Sequence, residues 1–492
     1  MCGILGICGS GNIVGELYNG LGALQHRGQD AAGIITCDQQ FHLKKGNGLV
    51  QNIFNQKNIA RLNGNMGIGH TRYPTIGGGD AEDAQPFYIN VPLGIAMAHN
   101  GNVTNYSELK KALERDSFYH LNSRCDVEAI LNVFANELAN NNLRKFSPEM
   151  VFKAVHEVFK KVQGSYSVVG IIANKGMFAF RDPQGIKPLV FGRKDDNYAF
   201  ASESVPLDIL GYQLERDVAP GEAIFIQEQE PFFKAQRQLF SKRLMKKTHT
   251  PCIFEWIYFA RPDSVMDGIN VYEARLRLGE ELAKEVIKRN IKADIVVPVP
   301  DSAKPAATTM AEKLGLPFRE GLVKNRYIGR TFIMPLQEAR ESTVRQKLNP
   351  IRSEISGKKV LLVDDSIVRG TTSREIINLV KNAGAKEVYL AVTCPPLRYP
   401  CVYGIDMQTK NEFIARNKNE DKIAKEIGAD KLIYQTLNGL TKAVSIRKFA
   451  SSCSPGNNKY CTACFTGIYP TKISDSMFKE IEQDRRKAQC SC

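Results

Sequence analysis

VLLVDDSIVRGTTS, residues 360–373, predicts a strand, a polar loop and the first turn of a helix. The four leading apolar residues suit a strand that is buried inside a sheet. Two carboxylates, Asp364 and Asp365, follow at its C-terminal end. The loop after them is made largely of small hydroxyl and glycine residues, namely Ser366, Gly370, Thr371, Thr372 and Ser373. Residues 374–385, REIINLVKNAGA, have the pattern of a helix.

A loop of this composition suits an anionic ligand. Ligands of open α/β sheets bind outside the carboxyl ends of the strands, and a helix N-terminus offers free N–H groups to a phosphate. Gly370 lets the backbone approach closely, and the two acids can hold a metal ion or ribose hydroxyls. The alternative is an ordinary strand–turn–helix whose acids cap the helix. Because the strand, the acids and the loop coincide, the binding loop is favoured.

The sequence around this stretch alternates helices with apolar strands. Residues 274–290 and 305–315 are typical of helices, and residues 293–301 and 387–394 of strands. This alternation predicts a parallel α/β sheet. The earlier strand ends in Asp301, with Ser302 and Lys304 after it. Its loop is therefore expected at the same sheet edge as the loop after residue 363.

The whole chain has an ordinary globular composition. Its 492 residues are 43% hydrophobic and 24% charged, a length that corresponds to roughly two to four domains. The absence of an apolar run of about eighteen residues and of a signal-peptide pattern predicts a cytoplasmic protein without a membrane partner. The net charge of +14 favours anionic ligands. The basic run at 242–249 lacks zinc-finger spacing and RNA-binding aromatics, so phosphorylated small molecules are favoured over nucleic acid.

Cys2 is the main candidate nucleophile of the N-terminal third. A methionine before a small residue is commonly removed, and its removal exposes Cys2 as the terminal residue. The thiol then acts as a nucleophile, and its own α-amine serves as general base near neutral pH. The alternative is that Cys2 simply packs at the start of the strand CGILGI.

Three further segments carry groups that a nucleophile needs in order to act on an amide. Arg72, in GIGHTRYPTIGGG, offers a bidentate clamp for a carboxylate. Asn100 and Gly101, at a predicted tight turn over 99–102, offer an amide group and an N–H to a developing oxyanion. Asp126, in SRCDVEAI, can accept an α-ammonium group. Together with Cys2, these groups favour recognition and hydrolysis of glutamine.

These motifs together resemble the N-terminal-nucleophile glutamine amidotransferases. The resemblance implies a four-layer αββα domain over residues 2–230. The residues to which it assigns roles are Cys2 (attacking thiolate), Asn100 and Gly101 (oxyanion hole), and Arg72 and Asp126 (glutamine binding). Alternating strand patterns at 164–173, 176–181 and 197–202 agree with a sheet-rich domain. With the terminal amine as base, His26, His70 and His99 are interpreted as structural.

The second half resembles a type I phosphoribosyltransferase, whose signature has the form seen at 361–372. The resemblance implies a parallel-sheet domain that binds phosphoribosyl pyrophosphate (PRPP). The groups assigned to PRPP are Gly370, Thr371, Thr372 and Ser373 (5-phosphate loop), Asp364, Asp365 and Ser302 (ribose hydroxyls and Mg²⁺), Asp301 and Lys304 (pyrophosphate), and Ser366. Residues 324–340, with Arg330, resemble that family's mobile loop, which closes over PRPP and excludes water. The alternative for its arginines is a solvated face.

The twelve cysteines are too few for a disulfide scaffold of this length. Cys461 and Cys464 form a C-x-x-C pair, and Cys252 and Cys401 lie far from it in sequence. Spacing alone leaves zinc and iron–sulfur both open. CIFEWIYFARPDS, YPCVYGIDM and CTACFTGIYP resemble segments of the iron–sulfur-containing amidophosphoribosyltransferases. That resemblance implies a structural or oxygen-sensing [4Fe–4S] cluster on these four cysteines, with Cys394 as a near miss.

Both halves together predict glutamine-dependent amination of PRPP, the first committed step of de novo purine synthesis. The expected division is a glutaminase domain (2–230), an interdomain segment (231–273), a phosphoribosyltransferase domain (274–440) and a cysteine-bearing tail (441–492). The resemblance also implies internal ammonia transfer, purine nucleotide feedback and a homotetramer. Two alternatives are an aminosugar synthase, which would lack VDDSIVRGTTS, and a non-enzymatic PRPP-binding regulator, which has no need of Cys2.

Overall fold

A computed structural model describes the chain as two α/β units joined through a buried segment. The described residues are 1–73, 81–116, 119–228, 237–325, 347–407, 409–410, 413–445, 460–473 and 477–478. Within these ranges no helix is both long enough and apolar enough to span a membrane. The predicted mobile-loop residue Arg330 lies outside them.

The N-terminal unit consists of antiparallel strands and the helices that cover them. Its strands are β1 (Gly3–Cys8), β2 (Ala31–Cys37), β3 (Phe41–Asn47), β4 (Met66–Arg72), β5 (Phe87–Ile89), β6 (Ile95–Val103), β7 (Gly164–Ile172), β8 (Gly176–Arg181), β9 (Val190–Lys194), β10 (Asn197–Ala201), β11 (Gln213–Asp217), β12 (Glu222–Glu228) and β13 (Arg237–Arg243). Its helices are α1 (Val14–Ala23), α2 (Val50–Ile53), α3 (Gln56–Ile59), α4 (Tyr106–Asp116), α5 (Asp126–Ala139), α6 (Pro148–Lys161) and α7 (Val205–Leu210).

These strands form two stacked sheets. In the described residues the strand orders are β11-β9-β10-β1-β4-β2-β3 and β13-β12-β8-β7-β6-β5. The period-two alternation of a strand is visible in β1, where Ile4 and Cys8 pack between the sheets and Leu5 and Ile7 pack towards α1. Helices α5 and α6 cover the outer face of the second sheet. The predicted four-layer αββα architecture is confirmed.

The C-terminal unit is built on a parallel sheet. Its strands are β14 (Val265–Met266), β15 (Ile269–Asn270), β16 (Ile295–Pro298), β17 (Leu322–Lys324), β18 (Leu348–Pro350), β19 (Lys359–Asp364), β20 (Glu387–Val392) and β21 (Lys431–Tyr434). Its helices are α8 (Val271–Lys288), α9 (Lys304–Leu314), α10 (Arg352–Ile355), α11 (Thr371–Asn382), α12 (Glu420–Ile427), α13 (Leu437–Val444) and α14 (Ala463–Thr466).

The parallel sheet of the described residues has the order β16-β19-β20-β21. Leu361 and Val363 of β19 pack against α8 and α9, while Val360 and Leu362 pack on the other face with α11 and α12. Because both faces are covered, the strand is apolar without interruption. This confirms the predicted parallel sheet with a buried strand at 360–363 and places the loop after β19 at its carboxyl edge.

Three local features differ from the sequence prediction. The tight turn predicted at 99–102 is wrong, since these residues continue strand β6 and pair with β7 as far as Val103. The N-terminal sheet also extends past the expected boundary at residue 230, because β13 pairs with β12. Likewise, α13 runs past residue 440 and packs on α8.

The apolar part of the predicted interdomain segment, residues 251–257, is buried at the junction between the two units. The interdomain segment contains a π-helical turn, Glu255–Phe259, and the single tryptophan, Trp256, of which 1% is exposed. The ring of Trp256 lies 5.8 Å from that of Tyr460. The junction is therefore packed directly against the C-terminal tail.

Candidate active site

Cys2 lies immediately before strand β1, at the end of the space between the two sheets. Its main-chain nitrogen donates to the side-chain oxygen of Asn100 at 3.2 Å. Its sulfur accepts from the main-chain N–H of Tyr73 at 3.4 Å. In this chain that nitrogen is the peptide nitrogen that follows Met1, and it stands in the position of the α-amine of a terminal Cys2. The side chain is only partly buried, so the thiol is accessible.

The predicted oxyanion residues sit beside Cys2 on strand β6. Asn100 is 1% exposed, and its Nδ2 group has no hydrogen-bond partner among the described residues. Gly101 is required by close packing, because a Cβ there would lie 1.9 Å from the carbonyl oxygen of Ser165 on β7. The Asn-Gly pair therefore permits close strand contact, and the Asn100 side chain that accepts from Cys2 also carries a buried donor with no partner among the described residues.

Arg72 and Asp126 are both buried in this region. Arg72 pairs with Asp83 at 3.4 Å, a partner that the sequence did not suggest. Asp126 accepts from the Val103 N–H at 2.8 Å and lies 3.2 Å from Nε2 of His99. Burial acts to raise the pKa of Asp126, but the His99 imidazole and the hydrogen bonds hold it below its ordinary value. The Asp126 side chain is thus a carboxylate.

A buried ion network that the sequence did not suggest contacts the backbone of Cys2. Arg27 donates to the carbonyl oxygen of Cys2 at 3.0 Å. Its guanidinium also pairs with Glu203 at 2.5 Å and with Glu255 at 2.9 Å. Ser264 donates to Glu203 at 2.6 Å. Because Glu255 belongs to the junction segment, the network links the Cys2 backbone to the contact between the two units.

Replacing Arg27 by methionine is expected to destabilise the fold by about 3–5 kcal/mol, because two buried carboxylates lose their shared cation. Urea unfolding followed by fluorescence measures the change in the free energy of unfolding. Arg193→Met is the matched control, since the Arg193 pair with Asp196 is exposed and is expected to contribute about 1 kcal/mol or less. Equal losses in the two variants would contradict a special role for the buried network.

In the C-terminal unit, the acid pair lies at the carboxyl end of β19, as predicted. Asp365 accepts from Ser302 at 2.6 Å and from Ser366 at 2.8 Å. Burial raises the pKa of both Asp364 and Asp365, and the charge of Asp365 raises that of Asp364 further. Two buried carboxyl groups at one strand end form a site that favours a cation.

The loop after the acids leads into helix α11 in the predicted way. Gly370 has a φ of 78° and caps the helix N-terminus. A Cβ at this position would lie 2.4 Å from Cδ1 of Ile414, so both conformation and packing require glycine. Thr371 and Thr372 are exposed, while Ser373 is buried. The free N–H groups of this helix end therefore face the side of the sheet that carries the acids.

Lysines surround the other predicted loop of this edge. Lys304 lies 3.8 Å from Asp301 and 2.8 Å from Glu320. Lys324, which sequence reasoning did not single out, lies 3.4 Å from Asp301. The structure therefore adds a second cation beside the predicted pair Asp301 and Lys304.

The four predicted cysteine ligands come together at the domain junction. Cys252 and Cys461 form a parallel β-bridge, and the Cys461 N–H donates to Pro251 at 2.8 Å. Cys252, Cys401, Cys461 and Cys464 are buried, and each carries a free thiol. Burial raises the pKa of Cys464 well above its ordinary value, and the neighbouring Cys461, Cys401, Cys252 and Cys394 raise it further. Among the described residues, no three histidine, cysteine or acidic side chains are arranged as the ligands of a single metal ion.

Comparison with known proteins agrees with both halves. A glutamine amidotransferase domain model matches residues 70–208, and a phosphoribosyl transferase domain model matches residues 267–412. Amidophosphoribosyltransferases from Pseudomonas aeruginosa and Escherichia coli K12 are 48% and 47% identical. These alignments cover 99% and 98% of this chain, and 97% and 95% of the relatives. The Saccharomyces cerevisiae enzyme is 44% identical, over 99% of this chain and 95% of its own length.

Solved structures show the same relation. The glutamine PRPP amidotransferase from B. subtilis complexed with ADP and GMP is 38% identical, with a TM-score of 0.83 and 96% of this chain and 98% of that one covered. A structure described as the allosteric regulatory enzyme of purine biosynthesis is 39% identical, with a TM-score of 0.84 and 97% of both chains covered. The chain therefore belongs to the amidophosphoribosyltransferases, glutamine-dependent pentosyltransferases of purine biosynthesis.

Proposed function

We propose that the two sites act in sequence on glutamine and PRPP. The Cys2 thiolate attacks the side-chain amide of glutamine, ammonia leaves, and water hydrolyses the thioester to glutamate. Ammonia then attacks C1 of PRPP inside the protein, and pyrophosphate leaves to give 5-phosphoribosylamine. The observation that carries this proposal is the pairing, in one chain, of the Cys2–Asn100 site with the acid pair at the end of β19.

The assay that tests the reaction is pyrophosphate release from PRPP by the purified protein. We expect release only when glutamine or ammonia is present, because the acceptor reaction consumes ammonia. Release without a nitrogen donor would indicate simple PRPP hydrolysis, and no release under any condition would contradict the proposal.

In the glutaminase site, we propose that Asn100 and Gly101 stabilise the oxyanion of the tetrahedral intermediate. The unpartnered, buried Nδ2 group of Asn100 supports this role. A buried donor without a partner costs about 1–3 kcal/mol, and a developing oxyanion would satisfy it. Arg72 then binds the α-carboxylate of glutamine and Asp126 its α-ammonium group, and the buried charges of both residues support this pairing.

In the acceptor site, we propose that Asp364 and Asp365 bind the ribose hydroxyls and, with Ser302, Mg²⁺. Carboxylate and hydroxyl oxygens are suitable ligands for a hard cation. Burial raises the pKa of both carboxyl groups, and the charge of Asp365 raises that of Asp364 further, which supports binding of a cation there. Mg²⁺ would neutralise charge on the leaving pyrophosphate. Asp301 and Lys304 bind the pyrophosphate end of PRPP, and Arg330 is a further PRPP-binding residue. Gly370, Thr371, Thr372 and Ser373 bind the 5-phosphate, and Ser366 also contacts PRPP.

We also propose that Cys252, Cys401, Cys461 and Cys464 bind a [4Fe–4S] cluster. Four buried free thiols near one another fit the donor set of such a cluster, and burial together with the neighbouring cysteines raises the pKa of Cys464. When bound, the cluster would cross-link the junction segment, the segment after β20 and the C-terminal tail. Its contribution is structural or oxygen-sensing, since none of the four cysteines is assigned a role in either reaction.

Metal analysis tests this directly. Protein purified without oxygen is expected to be brown and to contain about four iron and four sulfide per chain. Cys461→Ser is expected to lose iron and colour, whereas Cys37→Ser, a buried thiol in the N-terminal sheet, is expected to retain both. Zinc without sulfide would contradict the cluster and support a zinc site, the other metal that the cysteine spacing allows.

Assembly and regulation are further proposals. We propose a homotetramer inhibited by purine nucleotides, supported by the family resemblance and, for the nucleotides, by the related structure complexed with ADP and GMP. Light scattering tests the tetramer, and pyrophosphate release measured with and without ADP and GMP tests the inhibition. We also propose a cytoplasmic location, which suits the free thiols of the nine described cysteines.

A further inference from the structure

The oxyanion strand β6 is held by the C-terminal unit through two buried hydrogen bonds. Nδ2 of Asn102 donates to the carbonyl oxygen of Val402 at 3.0 Å. The hydroxyl of Ser165 donates to the carbonyl oxygen of Tyr403 at 3.2 Å. Asn102 is 2% exposed and Ser165 is fully buried. The acceptors are consecutive main-chain carbonyls, so the bonds depend on the path of that segment.

The two donors form one unit within the N-terminal sheet. Asn102 on β6 and Ser165 on β7 are direct cross-strand partners, and Gly101 pairs with the next residue, Tyr166. The two hydrogen bonds therefore hold strand β6 at the residue pair directly after the predicted oxyanion residues Asn100 and Gly101. A shift of this pair would carry the Gly101 peptide with it, because the two strands are hydrogen-bonded through this register.

Gly404, which follows the two acceptor residues, packs directly against the oxyanion strand. A Cβ there would lie 3.0 Å from the carbonyl oxygen of Gly101, and Gly404 has a φ of +92°. Backbone thus meets backbone across the domain boundary beside the oxyanion peptide. The segment is anchored at Cys401, whose N–H donates to Met407 at 2.7 Å, and by the hydroxyl of Tyr403, which hydrogen-bonds Thr471 at 2.8 Å.

We propose that Asn102 and Ser165 are positioning residues for glutamine hydrolysis, which hold the oxyanion strand in place against residues 402–404 of the acceptor unit. The glutaminase site is then complete only when the two units are docked, which limits loss of ammonia from an isolated first half. This inference rests on the proposed oxyanion role of Asn100 and Gly101. It assigns a specific task to polar residues that touch neither substrate.

The test compares Ser165→Ala and Asn102→Ala in the full-length enzyme. We expect kcat for glutamine hydrolysis to fall about tenfold in each, equal to about 1.4 kcal/mol, because the oxyanion donors lose their alignment in the transition state. The KM for glutamine, ammonia-driven pyrophosphate release and the melting temperature should stay close to wild type. Ser165→Thr keeps the hydroxyl and should recover most of the lost kcat.

Ser167→Ala is the matched control. Ser167 is also fully buried on β7, and its hydroxyl also donates to a main-chain carbonyl, that of Lys187 at 3.1 Å, but within the N-terminal unit. It should retain the glutamine-driven kcat, even though its register partner is Asn100. An equal loss in Ser167→Ala would overturn the proposal, as would wild-type kcat in both test variants or a parallel loss of ammonia-driven activity.

A failure of the underlying function is distinguishable. If Asn100→Ala keeps normal glutamine hydrolysis, the oxyanion assignment itself is wrong. If Asn100→Ala loses activity while Asn102→Ala and Ser165→Ala do not, only the positioning proposal is wrong. Should Ser165→Ala fail to fold, Asn102→Ala decides alone, with ammonia-driven activity as the measure of an intact acceptor unit.

Discussion

Replacing Cys2 by alanine is expected to reduce glutamine-driven pyrophosphate release by a factor on the order of 10⁴ or more, while ammonia-driven release stays near wild type. The thiol is the only group at this site proposed to form the covalent intermediate, and its sulfur already accepts a hydrogen bond from Tyr73. Ammonia added from solution bypasses that step. A coupled pyrophosphate assay with each nitrogen donor, at saturating PRPP, measures both reactions on one preparation.

Cys8→Ala is the control for this substitution. Cys8 lies on the same strand, β1, but it is fully buried in the apolar layer between the sheets. Its loss should lower stability slightly and leave both activities. If Cys2→Ala still used glutamine, the assignment of the whole N-terminal half would be wrong, whatever the acceptor half does.

The strands and helices that position both sites were largely predictable. Strand β19 is buried on both faces, so every residue from Val360 to Val363 must be apolar, and such a run is visible without a structure. The acids and the glycine that follow have local requirements too. Gly370 needs a positive φ as the cap of α11. Features that depend on neighbours in sequence can thus be inferred from sequence.

The strand through Asn100 and Gly101 shows where local inference fails. An Asn-Gly pair is a strong turn signal, and a turn was predicted there. In the fold, residue 101 is glycine because a Cβ there would collide with the Ser165 carbonyl oxygen of the neighbouring strand. That neighbour is more than sixty residues away, so no short window contains the reason for the glycine.

The buried ion network was missed for the same reason. Arg27 meets Glu203 and Glu255 across 176 and 228 residues of chain. Each of these charges is unremarkable in its own segment, and only burial makes the pairing necessary. Asp83, the partner of Arg72, likewise follows no motif. By contrast, the four cysteines were grouped by flanking segments that resemble those of known relatives, and their role as ligands stays a prediction. Spacing alone could not choose their metal.

The second large effect is expected at the acceptor site. Asp365→Asn should reduce both glutamine-driven and ammonia-driven pyrophosphate release by about 10²–10³-fold, corresponding to about 3–4 kcal/mol. The substitution keeps the size of the side chain but removes one of the two charges proposed to bind Mg²⁺ and ribose. Hydrolysis of glutamine by Cys2 should continue, since that site lies in the other unit. Loss of both activities separates this variant from Cys2→Ala.

Asp294→Asn is the matched control for the acceptor site. Asp294 precedes β16 and accepts from the main-chain N–H of Lys359 at 2.7 Å, where β19 begins. It therefore tests a carboxylate at the opposite end of the same sheet. Its variant should keep the rate of pyrophosphate release with either nitrogen donor. A comparable loss in Asp294→Asn would show that any change to the sheet disables the enzyme and would remove the case for Asp365.

The Asp365→Asn variant should be more stable than wild type, although it is less active. In the protein without metal or PRPP, burial raises the pKa of Asp364 and Asp365, and the charge of Asp365 raises that of Asp364 further. The native state therefore binds more protons than the unfolded state, and stability falls as pH rises from the unfolded pKa through the native one. Asp365→Asn removes one of these charges, so its melting temperature near neutral pH should exceed that of wild type and vary less with pH. A lower melting temperature at neutral pH would mean that the Ser302 and Ser366 hydrogen bonds outweigh the repulsion, and that the site is built for stability rather than for a cation.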